Sequence, residues 1–398
     1  MADIASTERI DPGPLAAVAV TLCGVCAFLE LYCTQPLLPL LAHIFHASKT
    51  AVGLTVSAAT LSVALAGPFV GRVTERLPRK KVIVWSVTGI ALPTLLTATA
   101  PTLGWMIFWR FLQGLFIPSI IAVVVTYIGE EWPPERMLMI MSFYVSGTVL
   151  GGFIGRVSSG LIADWINWQA SFLFIGVLAL ISAGMVALWM PPGNRRAVSA
   201  QKTTVKIPLI EFFRRPRLVA TFAVGFSVLF SLVGVFSWIT FHLAAPPFSL
   251  STAALSSLFF VYLVGLVVTP MAGMVISKVG MRVGVCGAIL CSMIGVLLTL
   301  APSIWAVVAG LAMVSSGVFI AQTASQSHLR VAAPPGGRVT AAGLYITSYY
   351  VGGTMAGVLP GAFWALGKWP ACAAFIVSMQ ACALLIAARG WRGSELGS

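Results

Sequence analysis

The sequence predicts an all-α membrane protein, with twelve transmembrane helices in two parallel-repeat six-helix bundles. Three observations predict it. Hydrophobic residues make up 59% of the 398-residue chain and charged residues only 9%, against roughly 25% charged in a soluble domain. So few charges cannot cover a water-facing surface, which excludes a soluble enzyme. The apolar residues also gather into long runs without period-2 alternation, which fits helices and excludes a membrane barrel. Finally, the second part of the chain repeats the first.

Hydropathy and helix breakers divide the chain into twelve spans. The first six are expected at Leu15–Leu38, Ala51–Val73, Val82–Thr99, Leu103–Ile128, Met137–Ala163 and Ala170–Met190. The second six are expected at Leu218–Phe241, Ser251–Val275, Val283–Leu300, Ser303–Ser327, Val339–Trp364 and Pro370–Ala388. A crossing needs about 20 apolar residues, so the chain is long enough for twelve. The expected plan is a tail at 1–13, a bundle at 14–190, a linker at 191–217, a second bundle at 218–388 and a tail at 389–398. Within the linker, Ile207–Arg217 is expected to lie as an amphipathic segment at the membrane surface.

Basic residues set the orientation. Of the 24 Lys and Arg, Arg110 and Arg156 lie inside spans, and only Lys49 and Lys368 fall on one side. All the others, including Arg72, Arg76, Arg79, Lys80, Lys81, Arg136, Arg214 and Arg338, fall on the opposite side. Cytoplasmic loops carry the excess of Lys and Arg, so both termini are expected in the cytoplasm. Charges spread over alternate loops are a topology signal, so no nucleic-acid partner is expected. The N-terminal MADIASTERIDPG lacks the basic region of a cleaved signal, so the first span is expected to remain in the mature protein. All seven cysteines fall in expected spans; Cys23 and Cys26 read as packing residues, and no disulfide is expected.

The repeat carries the two-bundle reading. Gly67–Lys80 realigns with Thr269–Arg282, Ala100-Pro101 with Ala301-Pro302, and Gly114–Ile117 with Gly317–Ile320. Tyr144–Gly152 (YVSGTVLGG) echoes Tyr350–Val358 (YVGGTMAGV), and Trp168-x-Ala170 echoes Trp369-x-Ala371. Six is an even number, so two six-span copies that start on the same side are parallel repeats. Two similar bundles on a tether can rock, which is the mechanical minimum for alternating access.

These residues resemble the major facilitator superfamily. Gly71–Lys80 (GRVTERLPRK) looks like its cytoplasmic motif G-x-x-x-D-R-x-G-R-K, with Glu75 for Asp and Pro78 for the second Gly. Arg110-Phe111-Leu112-Gln113-Gly114 matches the fourth-helix pattern R-F-x-x-G. Gly147-x-x-x-Gly151-Gly152-x-x-Gly155-Arg156 resembles the antiporter pattern G-x-x-x-G-P-x-x-G-G, with Gly152 for Pro and Arg156 for the last Gly. LYCTQPLLPLL (Leu31–Leu41), GRVSSG (Gly155–Gly160) and GLYITSYYVGG (Gly343–Gly353) are similar to the YnfM group of bacterial inner-membrane transport proteins. The resemblance spans essentially the whole chain. It implies the major facilitator fold, residence in the inner membrane and a small organic substrate.

The charges inside spans are few. Ten of the eleven acids lie in tails, loops or helix ends, and only Glu30 is deep. Helix rise places Glu30 about 12 Å and Arg110 and Arg156 about 10 Å from the outer ends of their spans. A mid-membrane charge costs about 2.5–3.5 kcal/mol, so each needs a partner or a purpose. The superfamily packs helices one, four and five together, so a Glu30–Arg110–Arg156 cluster is expected. Desolvation favours the neutral carboxyl and a nearby guanidinium the ionised one, so rewetting or cargo binding can shift a proton. A static ion pair that fixes packing is the alternative. The cluster's formal charge is +1 or +2, which favours neutral or anionic cargo.

Other residues are expected around this cluster. In the superfamily Gln35, Gln113, Trp238, Gln322, Gln326, Tyr345 and Tyr349 would lie on helices that line the cavity or its gates. Gly71, Glu75, Arg76, Arg79 and Lys80 would form a cytoplasmic gate, with Glu75 near the N-terminus of span eleven, around Arg338–Thr340. Gly147, Gly151 and Gly155, and again Gly353, Gly357 and Gly361, form small-x-x-x-small ridges for helix bending or packing. His242 and His328 lack ligand-spaced partners, so no metal is expected.

The expected function is proton-coupled efflux of drugs, sugars or metabolites, in a monomer that needs no cofactor beyond the proton gradient. Proton-coupled uptake and a receptor that binds without transporting are the alternatives. No G-x-S-x-G, H-E-x-x-H or nucleotide-binding G-x-x-x-x-G-K-[ST] motif is present, so neither an enzyme nor an ATP-driven pump is expected.

Overall fold

A computed structural model of the protein describes residues 12–70, 77–193, 208–334 and 336–391. Among the described residues the regular structure is helical, with no strand. The first span is not one helix. Helix α1 (Pro14–Leu29) stops at Glu30, a 3₁₀ turn covers Gln35–Leu37, and α2 (Leu38–Ile44) completes the crossing. Pro36 lacks an N–H, and its ring would collide with the carbonyl four residues earlier, so the expected unbroken Leu15–Leu38 cannot form.

Helices α3 (Lys49–Ala66), α4 (Arg79–Thr97), α5 (Leu103–Glu131), α6 (Pro134–Trp165) and α7 (Trp168–Trp189) follow. Their starts are sequence-coded: Ser48, Thr102 and Asn167 each accept a backbone N–H from three residues on. After the short α8 (Leu209–Phe213) in the expected linker come α9 (Pro216–Ala244), α10 (Thr252–Ser257) and α11 (Val264–Val279), the last two joined by a 3₁₀ segment. Then come α12 (Met281–Leu298), α13 (Ile304–Ala332), α14 (Arg338–Val358) and α15 (Pro360–Gly390). Helix α15 is really two helices, joined where Gly367 and Lys368 leave helical geometry and Lys368 takes φ 53°. The crossing that begins at Arg338 therefore continues through the first part of α15, and the last crossing starts at that kink.

Among the described residues nine helices are long and apolar enough to cross a bilayer. Joining α1 to α2 restores the first crossing, and α4 falls short of the nine because Arg79, Lys80 and Lys81 open it. Helix α14 falls short of those nine because Tyr345, Thr347, Ser348, Tyr349, Tyr350 and Thr354 dilute its apolar face.

Apolar burial does not drive helices together in lipid, so small residues that permit close backbone approach decide the packing. Gly147, Gly151 and Gly155 of α6 lie against the carbonyls of Thr21, Val25 and Leu29 of α1, one contact per helical step of four. These glycines give α1 and α6 their close packing. In the last six crossings α9 packs on α14 and α13, and α12 on α13. The most extensive contacts between the early and late helices are α3 with α14 and α6 with α10. In span numbers these are two with eleven and five with eight, pairs that exchange when the repeat maps each span six places on.

One end of the molecule, the end carrying Lys49 and Lys368, is sealed. Ser57 Oγ donates to the Thr354 carbonyl at 2.7 Å, and Thr354 Oγ1 to Thr60 Oγ1 at 3.1 Å. Gly53 and Gly357 touch backbone to backbone, and the Thr252 N–H donates to Asp164 Oδ1 at 3.1 Å. Lys49 Nζ stands 5.0 Å from the Trp364 ring centroid.

Candidate functional site

The break in the first span organises the interior. A broken helix leaves carbonyls without intrahelical donors, and in a membrane they must be satisfied by protein groups. Arg110, fully buried on α5, supplies them. Its Nη1 donates to the Glu30 carbonyl at 2.6 Å, its Nη2 to the Leu31 carbonyl, and its Nε to the Thr55 carbonyl of α3 at 3.1 Å. Nη1 also reaches Gln113 Oε1, one helical turn along the same face of α5. Ser159 of α6 serves the Cys33 carbonyl at 2.7 Å.

The Glu30 side chain points elsewhere. Its Oε2 accepts from Thr94 Oγ1 and from Gln113 Nε2, each at 2.9 Å. Its Oε1 is buried and has no hydrogen-bond partner among the described residues. Gln113 thus stands between the two groups, accepting from Arg110 and donating to Glu30. Among the described residues no salt bridge joins Glu30 to an arginine; the ion pair there is Arg79–Glu130 at 3.2 Å.

Arg156 forms a second centre. It is 1% exposed and donates through Nε to Gln35 Oε1 at 2.7 Å, through Nη1 to the Gly152 carbonyl at 2.6 Å, and through Nη2 to the Tyr262 hydroxyl at 3.4 Å. The guanidinium carbon lies 4.6 Å from the Tyr32 ring centroid, 4.4 Å from Tyr262 and 5.2 Å from Phe259. Gln35 Nε2 donates onward to Ser237 of α9 at 3.0 Å. The centre therefore joins the first span and α6 to α9 and to the 3₁₀ segment between α10 and α11.

The expected Glu30–Arg110–Arg156 cluster is corrected accordingly. The three residues occupy two centres, both built on residues 30–35. Glu30, Arg110 and Gln113 share one; Arg156 and Gln35 share the other. Arg110 turns to backbone carbonyls because the helix break offers two of them, those of Glu30 and Leu31, within its reach.

The remaining expected site residues sort as follows. Trp238 is fully buried and donates to the Ala356 carbonyl at 3.0 Å, among the contacts of the sealed end. Tyr345 is buried and bonded to Ser325 at 2.7 Å, and Tyr349 stacks beside it with ring centroids 6.3 Å apart. Gln322 is half-buried and Gln326 exposed. Gly357 packs on Ser57 and Gly53, Gly361 on Thr50, and Gly353 on Leu229. Gly71, Glu75 and Arg76 lie outside the described residues, and so does the expected contact of Glu75 with α14. Arg79 binds Glu130 of α5, and Lys80 is half-buried on α4. No group of three metal-binding side chains occurs among the described residues.

Sequence reasoning missed Thr94, Tyr32, Phe259, Tyr262 and Ser237. Pro36 and Pro39 inside an apolar span were the available signal that the first helix breaks and that its neighbours must supply polar groups.

The sequence model of the Major Facilitator Superfamily matches residues 20–357. The chain belongs to this superfamily. It is 32% identical over 378 residues to the inner membrane transport protein YnfM of Escherichia coli (strain K12), covering 94% of this chain and 89% of that protein. An uncharacterized transporter of Buchnera aphidicola subsp. Schizaphis graminum is 29% identical over 374 residues, 93% of this chain and 89% of its own. Among solved structures, a bacterial homolog of the human lysosomal transporter Spinster matches with a TM-score of 0.74 and 18% identity, over 95% of this chain and 92% of that one. A D-xylose-proton symporter matches with a TM-score of 0.73 and 16% identity, over 94% and 97%. The protein is a multi-pass membrane transporter of the major facilitator fold, not an enzyme.

Proposed function

We propose that the protein is a proton-coupled carrier of the inner membrane that exports small neutral or anionic organic molecules by alternating access. Two six-helix halves, residues 14–190 and 218–388, rock about the sites between them, with both termini in the cytoplasm. The observation that carries this reading is the surroundings of Glu30. Its carboxyl is the sole deep acid of the sequence, it is held on one oxygen by Thr94 and Gln113, and the other oxygen has no described donor. A proton is taken and released at that free oxygen, Oε1.

Coupling follows from the chain itself. Glu30 begins the unwound stretch, and Tyr32 and Gln35, five residues on at most, hold Arg156. A change at the carboxyl that moves this stretch therefore moves the contact between α6 and the late helices. Cargo that takes hydrogen bonds from Arg156 biases the same element from the other side, which is the differential binding that a two-state switch requires. The basic loops support the cytoplasmic termini.

The test is a substrate screen in proteoliposomes under a pH gradient of either sign. Export against proton entry predicts that cargo moves toward the acidic side. Cargo accumulating on the alkaline side would instead establish uptake by symport, the reading favoured by the likeness to a D-xylose-proton symporter. A cargo flux indifferent to the gradient would contradict both.

A further inference from the structure

We propose that Arg156 is the recognition residue for the carboxylate of a small organic acid with a flat apolar body. This names the cargo class of the carrier proposed above and rests on that reading. A buried guanidinium is always charged and needs an anion or a full set of acceptors. Arg156 has neither: no acidic side chain lies within ion-pair distance among the described residues, and its three acceptors are all neutral. Two of its five N–H groups have no acceptor among these contacts. The Tyr262 contact, at 3.4 Å, is also long for a hydrogen bond to a guanidinium.

The surroundings select the rest of the ligand. Tyr32, Tyr262 and Phe259 crowd the guanidinium carbon with three rings, so a polar group gains hydrogen bonds only at the N–H edge, where arginine grips a carboxylate through two parallel bonds. The rings of Tyr32, Tyr262 and Phe259 at 4.6, 4.4 and 5.2 Å from the guanidinium carbon supply aromatic surface against which a flat apolar body can pack. Ligation also does mechanical work. Gln35 and Tyr262 come from opposite sides of the contact between early and late helices, so a carboxylate that displaces them releases that bridge. Cargo binding and separation of α6 from the segment after α10 then become one event.

The probe is benzoate, with its neutral isostere benzamide as the comparison, titrated calorimetrically into the purified full chain without a pH gradient. The expected result is that benzoate binds at least tenfold more tightly than benzamide. Arg156→Gln abolishes that preference, while Arg156→Lys, which keeps the cation, retains part of it. Gln35→Met frees Nε and tightens benzoate severalfold, a change opposite to that of a merely structural residue. Equal binding of the two probes, no binding of benzoate, a preference that survives Arg156→Gln, or a Gln35→Met variant that does not tighten would each overturn the proposal. A protein that shows no benzoate preference yet responds to a pH gradient would overturn this inference and leave the proton-coupling proposal standing.

Discussion

Glu30 and Arg110 sit side by side, yet they serve different bonds, and substitution should separate them. Arg110 donates to three carbonyls, and two of them, those of Glu30 and Leu31, lie at the helix break. Each buried carbonyl left unpaired costs about 1–3 kcal/mol. Arg110→Met is therefore expected to lower stability by at least about 2 kcal/mol, read as a large fall in the thermal midpoint of the detergent-solubilised protein. Arg110→Lys, a point charge without the guanidinium fork, should rescue only part of it. Glu30→Gln keeps an oxygen for the Thr94 and Gln113 donors, so its fold should survive. A midpoint as low as that of Arg110→Met would show that Glu30 is a packing residue.

Helix packing gives a sharper test at the scale of elements. A Cβ added at Gly155 would run into the Leu29 carbonyl, so α1 and α6 would have to separate. Gly155→Ala is expected to cost about 1–3 kcal/mol. Gly184, in α7, has nothing within 4 Å of the same position, so Gly184→Ala should instead gain about 0.5–1 kcal/mol from helix propensity. Opposite signs in the two thermal midpoints check the assignment; equal shifts would contradict it. The glycine ridge was legible in the sequence because small residues at a spacing of four mark one helix face whatever lies opposite. The breaks were less legible. Pro36 and Pro39 announced an interruption, but the long apolar run around them reads as one span. The site was legible only as an inventory. Glu30, Arg110 and Arg156 stood out because charge is rare in membrane spans, and helix rise put them at one level. Depth along a helix does not fix the direction of a side chain, so the common level could not say that Arg110 would turn to carbonyls and Arg156 to an aromatic enclosure. Thr94 looks like any helical threonine, and the rings around Arg156 come from segments more than 200 residues apart.

The whole molecule is held at one end by contacts between early and late helices, and a rocking carrier must break them each cycle. Thr60 and Thr354 face each other with hydroxyls 3.1 Å apart, close enough for a disulfide after exchange to cysteine. With the native cysteines replaced, Thr60→Cys and Thr354→Cys together should give a carrier that oxidation arrests and reduction restores. Full transport after verified cross-linking would rule out rocking at this contact. The repeat in the sequence anticipated this architecture well, because duplicated spans must pack by duplicated rules: two with eleven, and five with eight. In the proposed mechanism one carboxyl, that of Glu30, couples the two lobes to the proton gradient. The most direct test compares wild type and Glu30→Gln in the same proteoliposomes, measuring cargo flux with and without an imposed pH gradient. The gradient should drive accumulation in the wild type, whereas Glu30→Gln should still exchange cargo but ignore the gradient. Gradient-driven accumulation by Glu30→Gln would contradict that mechanism.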